Sequence, residues 1–129
     1  MRQDEQDAHE NIMARLHPAV ERWYKGDPFG YMGLCADDVT YFAPGTGGRL
    51  NGLSALRATY ATLAGKVNVS RFEILNPKIQ FYGDTAVFTY NVNEYGSEGP
   101  ATYRWNATEV YRRIGDEWRI IHAHWSKTQ

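Results

Sequence analysis

The sequence has almost no cysteine and no excess of either charge. Its 129 residues include one cysteine, Cys35, so no disulfide can form within the chain and the fold must depend on packing. Lys and Arg total 14 against 15 Asp and Glu, and this balance gives no field that would attract nucleic acid or anionic lipid. We therefore expect neither nucleic acid nor a membrane as a partner.

Long apolar runs are also absent. Residues 1–7 are polar and acidic, no apolar segment of a secretory signal follows them, and no stretch is long enough to span a bilayer. Together with the single cysteine, this favours a cytoplasmic location. No linker, repeat or shift in composition divides the chain, so residues 1–129 are expected to form one domain.

Aromatic residues, in contrast, are abundant, with nine Tyr and four Trp in a chain that is 14% aromatic. One explanation is that these residues favour β-strands. The other is that some of the rings line an apolar pocket. The composition leaves both explanations open.

The first half of the chain has helical periodicity, with apolar residues three and four positions apart. Pro18 is expected to kink the first helix or to begin its second half. The pattern predicts helices over residues 5–25 and 29–34, a turn at 36–38, a strand over 39–42 and a third helix that starts near residue 53 with Ser54 as its cap.

The second half alternates between apolar and polar residues, which is typical of strands. Successive strands separated by short glycine-containing turns indicate an antiparallel meander, and helices that precede a meander pack on one face of the sheet. The prediction is an α+β fold whose curved sheet encloses a cavity, with a convex face left for a second copy of the chain in a homodimer. The strands are predicted over residues 68–81, 85–95, 102–114 and 117–126, with turns at 83–84, 96–100 and 115–116.

Three parts of this sequence resemble known families. The first comprises residues 36–44 (ADDVTYFAP), 50–52 (LNG) and 56–60 (LRATY), and it resembles ketosteroid isomerases and SnoaL-like proteins. The second comprises residues 74–77 (ILNP) and 83–86 (GDTA), and it resembles the association (hub) domain of calcium/calmodulin-dependent kinase II. The third comprises residues 108–113 (TEVYRR) and 118–126 (WRIIHAHWS), and it is similar to the hub and to bacterial SnoaL-like proteins.

On these residues the chain is identified as a SnoaL-like member of the nuclear transport factor 2-like superfamily. The resemblance implies a cone-shaped, cystatin-like fold. That fold is used by isomerases, dehydratases, cyclases, hydrolases and scaffolds alike.

The resemblance to ketosteroid isomerases has gaps at the catalytic positions. Ala43 stands where those enzymes have the general base, and Ala19 falls near the tyrosine that donates to their oxyanion. Tyr60 matches a supporting tyrosine of the same network. The ketosteroid isomerase mechanism is therefore not expected.

The resemblance to the kinase hub has similar gaps. The positions of the three arginines in the hub pocket hold Val92, Glu109 and Trp125 here, so capture of a carboxylate by arginines is not expected. The resemblance instead implies an acid among aromatic rings.

Glu109 is the first candidate for chemistry. If it faces the cavity, strand alternation places Trp105 and Tyr111 on the same face, and burial among rings should raise its pKa toward the range useful for proton transfer. The alternative is an ion pair that keeps Glu109 ionised, with Arg57, Arg112 or Arg104 as partner. A Glu109–Arg57 pair inside the cavity could be an ion pair and also take part in the chemistry.

The sequence thus predicts a protein that binds a small, largely apolar or aromatic carbonyl or hydroxyl compound. Catalysis, if present, would be a cofactor-free isomerase, lyase or cyclase reaction with acid/base chemistry. The alternative is a non-catalytic binding or oligomerisation module like the hub. Catalytic candidates are Glu109, Arg57 and Tyr60; ligand-binding candidates are Trp23, Tyr41, Ala43, Tyr90, Val92, Trp105, Tyr111, Ile121, Ala123 and Trp125.

A metal site is not expected. His122 and His124 share one face of the last strand, but no third ligand is evident, and metal sites generally need three or four protein ligands. Hydrogen bonding across the dimer face suits this pair better, and it could make assembly sensitive to pH.

Overall fold

The computed structural model describes residues 2–96 and 99–128, in which three helices pack against one six-stranded sheet. This confirms the expected α+β fold with N-terminal helices on a curved sheet. Residues 97 and 98 of the expected turn at 96–100 lie outside the described residues. The helices are α1 (Gln3–Tyr24), α2 (Phe29–Met32) and α3 (Leu53–Ala61); the strands are β1 (Cys35–Phe42), β2 (Leu50–Asn51), β3 (Arg71–Tyr82), β4 (Thr85–Tyr95), β5 (Tyr103–Ile114) and β6 (Glu117–Lys127).

The sheet has the order β2-β1-β6-β5-β4-β3. Strands β3 to β6 form the expected antiparallel meander. Strand β1 joins its far edge by parallel pairing with β6, which places Tyr41 opposite Ala123. The helical half and the strand half of the chain therefore share one sheet.

Helix α1 runs through Pro18 without interruption. Its buried face includes Ile12, Leu16 and Val20, whereas Pro18 is exposed. Proline removes one backbone hydrogen bond, and on the exposed side of the helix water can satisfy the carbonyl that loses its donor. The guanidinium of Arg15 then ties the helix to β6 by donating to the Trp118 carbonyl at 2.8 Å.

Two predicted features of the first half are wrong. Residues 36–38 form part of β1 instead of a turn, because an irregularity in the β1–β6 pairing lets Asp37 and Asp38 both face solvent within the strand. Ser54 does not cap α3. The cap position is Gly52, which has φ of +93° and no side chain that could accept a capping hydrogen bond. The Gly52 amide donates instead to the carbonyl of Val39 at 2.7 Å, which joins the start of α3 to β1.

Other boundaries shift by a few residues. Helix α2 ends at Met32 instead of residue 34, and β3 begins at Arg71 instead of residue 68. None of the helices in the described part of the chain combines the length and apolar character needed to cross a bilayer.

A close backbone contact at Gly26 generates the first prediction. Gly26 has φ of +93°, and a Cβ there would lie 3.1 Å from the Cα of Gly65. We expect Gly26→Ala to lower the free energy of unfolding by about 1–3 kcal/mol in urea denaturation, since it adds strain and a clash. Gly65→Ala is the matched control, because its φ is +77° but its Cβ would meet open space. Equal losses in the two variants would contradict a role for the contact.

Candidate functional site

A cavity of about 310 Å³ lies between the helices and the sheet. This volume is at the lower end of the range for small-molecule sites. Eight of its fifteen lining residues are aromatic, so at least part of the aromatic excess forms a pocket wall. The lining residues are Val20, Trp23, Tyr24, Tyr31, Tyr41, Ala43, Pro44, Tyr60, Leu63, Val67, Glu94, Tyr103, Trp105, Trp125 and Lys127.

Glu109 is fully buried on β5 and is held by three tyrosines. Its Oε2 accepts hydrogen bonds from the hydroxyls of Tyr31 at 2.5 Å and Tyr90 at 2.6 Å. Its Oε1 accepts a third from Tyr111 at 3.0 Å. The hydrogen-bond partners of Glu109 are therefore tyrosine hydroxyls and not the arginines of the ion-pair hypothesis.

Burial governs the protonation of this cluster. Loss of water raises the pKa of Glu109, and the hydrogen bonds from the three hydroxyls oppose that rise without cancelling it. Burial, and then the charge of Glu109, raises the pKa of Tyr31, Tyr90 and Tyr111 well above the usual value for tyrosine. The tyrosines therefore remain protonated, and Glu109 is the group that gains or loses a proton.

Tyr31 separates Glu109 from the cavity. Glu109 is not one of the lining residues, whereas Tyr31 is. The Tyr31 hydroxyl also accepts from Nε1 of Trp125, 3.3 Å away. The expectation that Glu109 itself lines the cavity is thus corrected: the carboxyl lies one hydroxyl group behind the wall.

A second carboxylate, Glu94 of β4, lies in the cavity wall itself. Its Oε2 accepts from the hydroxyl of Tyr24 at 2.9 Å and from Nε1 of Trp105 at 2.6 Å. Lys127 is also in the wall, with its ammonium nitrogen 4.4 Å from the centroid of the Tyr103 ring. Sequence reasoning missed Glu94 and Lys127. Glu94 could have been found, because it continues the series of every second residue that is buried along β4.

Tyrosine hydroxyls form a further polar point in the wall. The hydroxyl of Tyr60 donates to that of Tyr41 over 3.4 Å. Burial raises the pKa of both groups, so both remain neutral hydrogen-bonding groups. Tyr60 therefore faces the cavity with a hydroxyl partner.

The structure separates the predicted site residues into those that form the wall and those that do not. Tyr90, Val92, Tyr111 and Ala123 are buried behind the wall without lining it. Arg57 is exposed on α3, and no contact within the described residues joins it to Glu109, so the alternative of a Glu109–Arg57 ion pair is not realised. Six predicted residues line the cavity: Trp23, Tyr41, Ala43, Tyr60, Trp105 and Trp125.

Ile121 is misplaced by strand alternation. A bulge interrupts the β5–β6 pairing, so that Val110 lies opposite His122 while Tyr111 lies opposite Ile120. Ile121 is the extra residue, and Ile120 is fully buried in its place. Simple alternation cannot detect such an insertion.

Among residues 2–96 and 99–128, no three His, Cys, Asp or Glu side chains are grouped so that they could hold a metal ion. His122 instead contacts Thr40, with its Nδ1 2.8 Å from the threonine Oγ1.

Comparison with known proteins shows the family. The SnoaL-like domain family matches residues 10–128, and the chain belongs to that family. This confirms the resemblance inferred from the three sequence stretches. No curated protein sequence matches the chain.

Solved structures share the fold. A candidate ketosteroid isomerase from Parabacteroides distasonis is 33% identical, with a TM-score of 0.77 over 92% of this chain and 86% of that one. An NTF2-like protein of unknown function from Pseudomonas putida is 24% identical, with a TM-score of 0.81 over 94% and 87%. The CaMKII hub of S. rosetta is 22% identical, with a TM-score of 0.70 over 92% and 95%.

The raised pKa of Glu109 generates the second prediction. Because the folded chain holds this proton more tightly than the unfolded chain, the contribution of Glu109 to stability is fully present below its ordinary pKa of 4.5. That contribution is lost as pH rises through the pKa of the folded state. Glu109→Gln has no proton to lose, so we expect it to gain stability relative to the wild type as the pH rises above 4.5.

Urea unfolding at several pH values measures this difference. Glu10→Gln, at an exposed position of α1, is the control and should follow the wild type. Parallel curves for wild type and Glu109→Gln would contradict a raised pKa.

Proposed function

We propose that the cavity binds a small, largely apolar or aromatic molecule that carries a carbonyl or hydroxyl group. The supporting observation is a wall made mostly of rings, in which the hydroxyls of Tyr31, Tyr41 and Tyr60 supply a few polar points. Ligand sites commonly combine an apolar lining with a small number of placed polar groups. The rings would bind the body of the ligand, and the hydroxyls would orient its oxygen.

We propose further that Tyr31 and Glu109 act together in cofactor-free acid/base chemistry. When Glu109 is protonated, its O–H can donate to the Tyr31 oxygen, and the Tyr31 hydrogen is then free to turn toward the cavity. As Tyr31 gives that proton to a ligand oxygen, Glu109 replaces it, and Glu109 ends as a carboxylate. The reverse sequence removes a proton, so the pair would suit isomerase, lyase or cyclase reactions.

The proposed mechanism differs from that of ketosteroid isomerases at one point. Ala43 lies in the cavity wall and has no titratable group. Direct proton abstraction from that position is therefore not part of the proposal. The similarity to a candidate ketosteroid isomerase supports acid/base chemistry only in general terms.

A thermal-shift screen tests the proposal, and it requires no guess at the reaction. We expect some aromatic or alicyclic carbonyl and hydroxyl compounds to raise the melting temperature of the wild type, because a ligand at about 100 times its Kd adds about 2.7 kcal/mol to folded-state stability. Tyr31→Phe and Glu109→Gln should respond differently from the wild type. Tyr82→Phe, at a residue 70% exposed, is the control.

Compounds that bind the wild type become the first substrates to incubate. If Tyr31→Phe and Glu109→Gln keep the wild-type ranking of ligands, the cavity binds without the proposed acid/base pair. If no compound in a broad set binds, the cavity is not the functional site.

The convex face of the sheet supports a second proposal, that the chain forms a homodimer through it. Along β4, Ala86 and Phe88 are buried whereas Val87 and Thr89 are half-buried, so the helices cover only one face. Val87 lies opposite Val110 of β5, which continues the uncovered face with another uncharged side chain. We define the convex face by Val87, Thr89, Thr108, Val110 and His122.

His122 makes the proposed dimer sensitive to pH. Burial lowers its pKa, with further lowering from the charges of His124 and Arg49 and an opposing contribution from Thr40. The neutral ring can be covered at pH 7.5, whereas a protonated ring resists loss of water. We expect sedimentation velocity to show a dimer at about pH 7.5 that dissociates toward pH 5.

His122→Gln should remove this pH dependence, and His17→Gln, at an exposed position of α1, should retain it. A monomer at every pH would exclude the dimer. A ring of ten or more subunits would favour the oligomerisation module over the enzyme.

A further inference from the structure

The cavity wall around Glu94 combines a carboxylate with aromatic rings. A positive charge is attracted both to the face of such rings and to a carboxylate, and sites for ammonium compounds are built from these two elements. Building on the proposed ligand site, we infer that the cavity selects an organic cation: a small aromatic or alicyclic molecule whose ammonium group binds at Glu94.

The hydrogen bonds of Glu94 leave one oxygen for a ligand. Within the described residues, both side-chain donors, Tyr24 and Trp105, bind its Oε2. These two contacts fix the carboxylate in the wall and leave Oε1 for a donor in the cavity. An ammonium group has only donors, so it matches an acceptor held in this way.

The chain itself places an ammonium group among the rings of this part of the wall. The Nζ of Lys127 lies 4.4 Å from the centroid of Tyr103 and 5.6 Å from that of Trp105. The same Trp105 ring donates its Nε1–H to Glu94. The two rings and the carboxylate therefore already form the surroundings that a ligand cation would need.

Lys127 is the group that such a ligand would displace. It is exposed and lies at the end of β6, so its flexible side chain can turn into solvent. Among the described residues that line the cavity, no other is a Lys or Arg. Once it turns away, Glu94 is left without a cationic neighbour in the wall, which favours a ligand of positive charge and disfavours an anion.

Three compounds of nearly equal shape test this inference by calorimetry. Tyramine carries an ammonium group, 4-propylphenol carries a methyl group in its place, and 4-hydroxyphenylacetate carries a negative charge. We expect tyramine to bind the wild type about tenfold or more tightly than 4-propylphenol, with the anion weakest. Choline against 3,3-dimethylbutanol repeats the comparison with a quaternary cation.

Variants assign the preference to Glu94. Glu94→Gln keeps the shape and removes the charge, so it should reduce the preference for tyramine to about twofold or less. Lys127→Met removes the competing ammonium and should strengthen binding of tyramine but not of 4-propylphenol. Glu10→Gln, exposed on α1, should keep the wild-type preference. If Glu94→Gln fails to fold by circular dichroism, the Lys127→Met comparison still decides.

The outcomes separate this inference from the proposed ligand site. If neutral compounds bind as tightly as their cationic partners in the wild type, the selection of cations is overturned while the ligand site stands. If neither the ammonium compounds nor any compound of the broad screen binds, both are overturned. Equal responses of tyramine and 4-propylphenol to Lys127→Met would also count against the inference.

Discussion

The buried carboxyl of Glu109 and its three tyrosine hydroxyls constrain the rest of this structure. A carboxyl group that has lost all contact with water is costly unless its oxygens are hydrogen-bonded. The three donors come from α2, β4 and β5, so satisfying Glu109 requires the short helix to sit at one place on the sheet. Because Tyr31 is also part of the cavity wall, the same requirement fixes the position and the chemistry of that wall.

Much of the fold could be predicted from local patterns. The meander followed from alternation and glycine turns, and the face shared by Glu109 and Tyr111 followed from the two-residue period of β5. The parallel pairing of β1 with β6 could not be predicted from either pattern, because it joins residues about 80 positions apart in the chain. The placement of Ile121 was wrong for a related reason. A bulge depends on how two strands pair, and the sequence of either strand alone does not show it.

The candidate site was harder to predict than the fold. Tyr31 lies on a helix of four residues, too short to show periodicity, and its contact with Glu109 spans 78 positions of the chain. Arg57 was one of three arginines weighed as an ion-pair partner of Glu109 on the ground of charge, but the neighbouring buried positions of α3 are Leu56 and Tyr60, which turn Arg57 outward. Complementary charge predicts a contact only when both side chains also lie on faces that point toward each other.

Two carboxyl groups in different surroundings give this cavity its chemical character. Glu109 is fully buried, so loss of water governs its proton affinity, and Tyr31 stands between it and any ligand. Glu94 lies in the wall itself, with one oxygen held by Tyr24 and Trp105, and the inferred cation site would use it to recognise charge. Environments that differ in this way separate the roles of two like groups. A ligand that meets Glu94 directly and Glu109 only through Tyr31 would be selected by one carboxyl and exchange protons with the other.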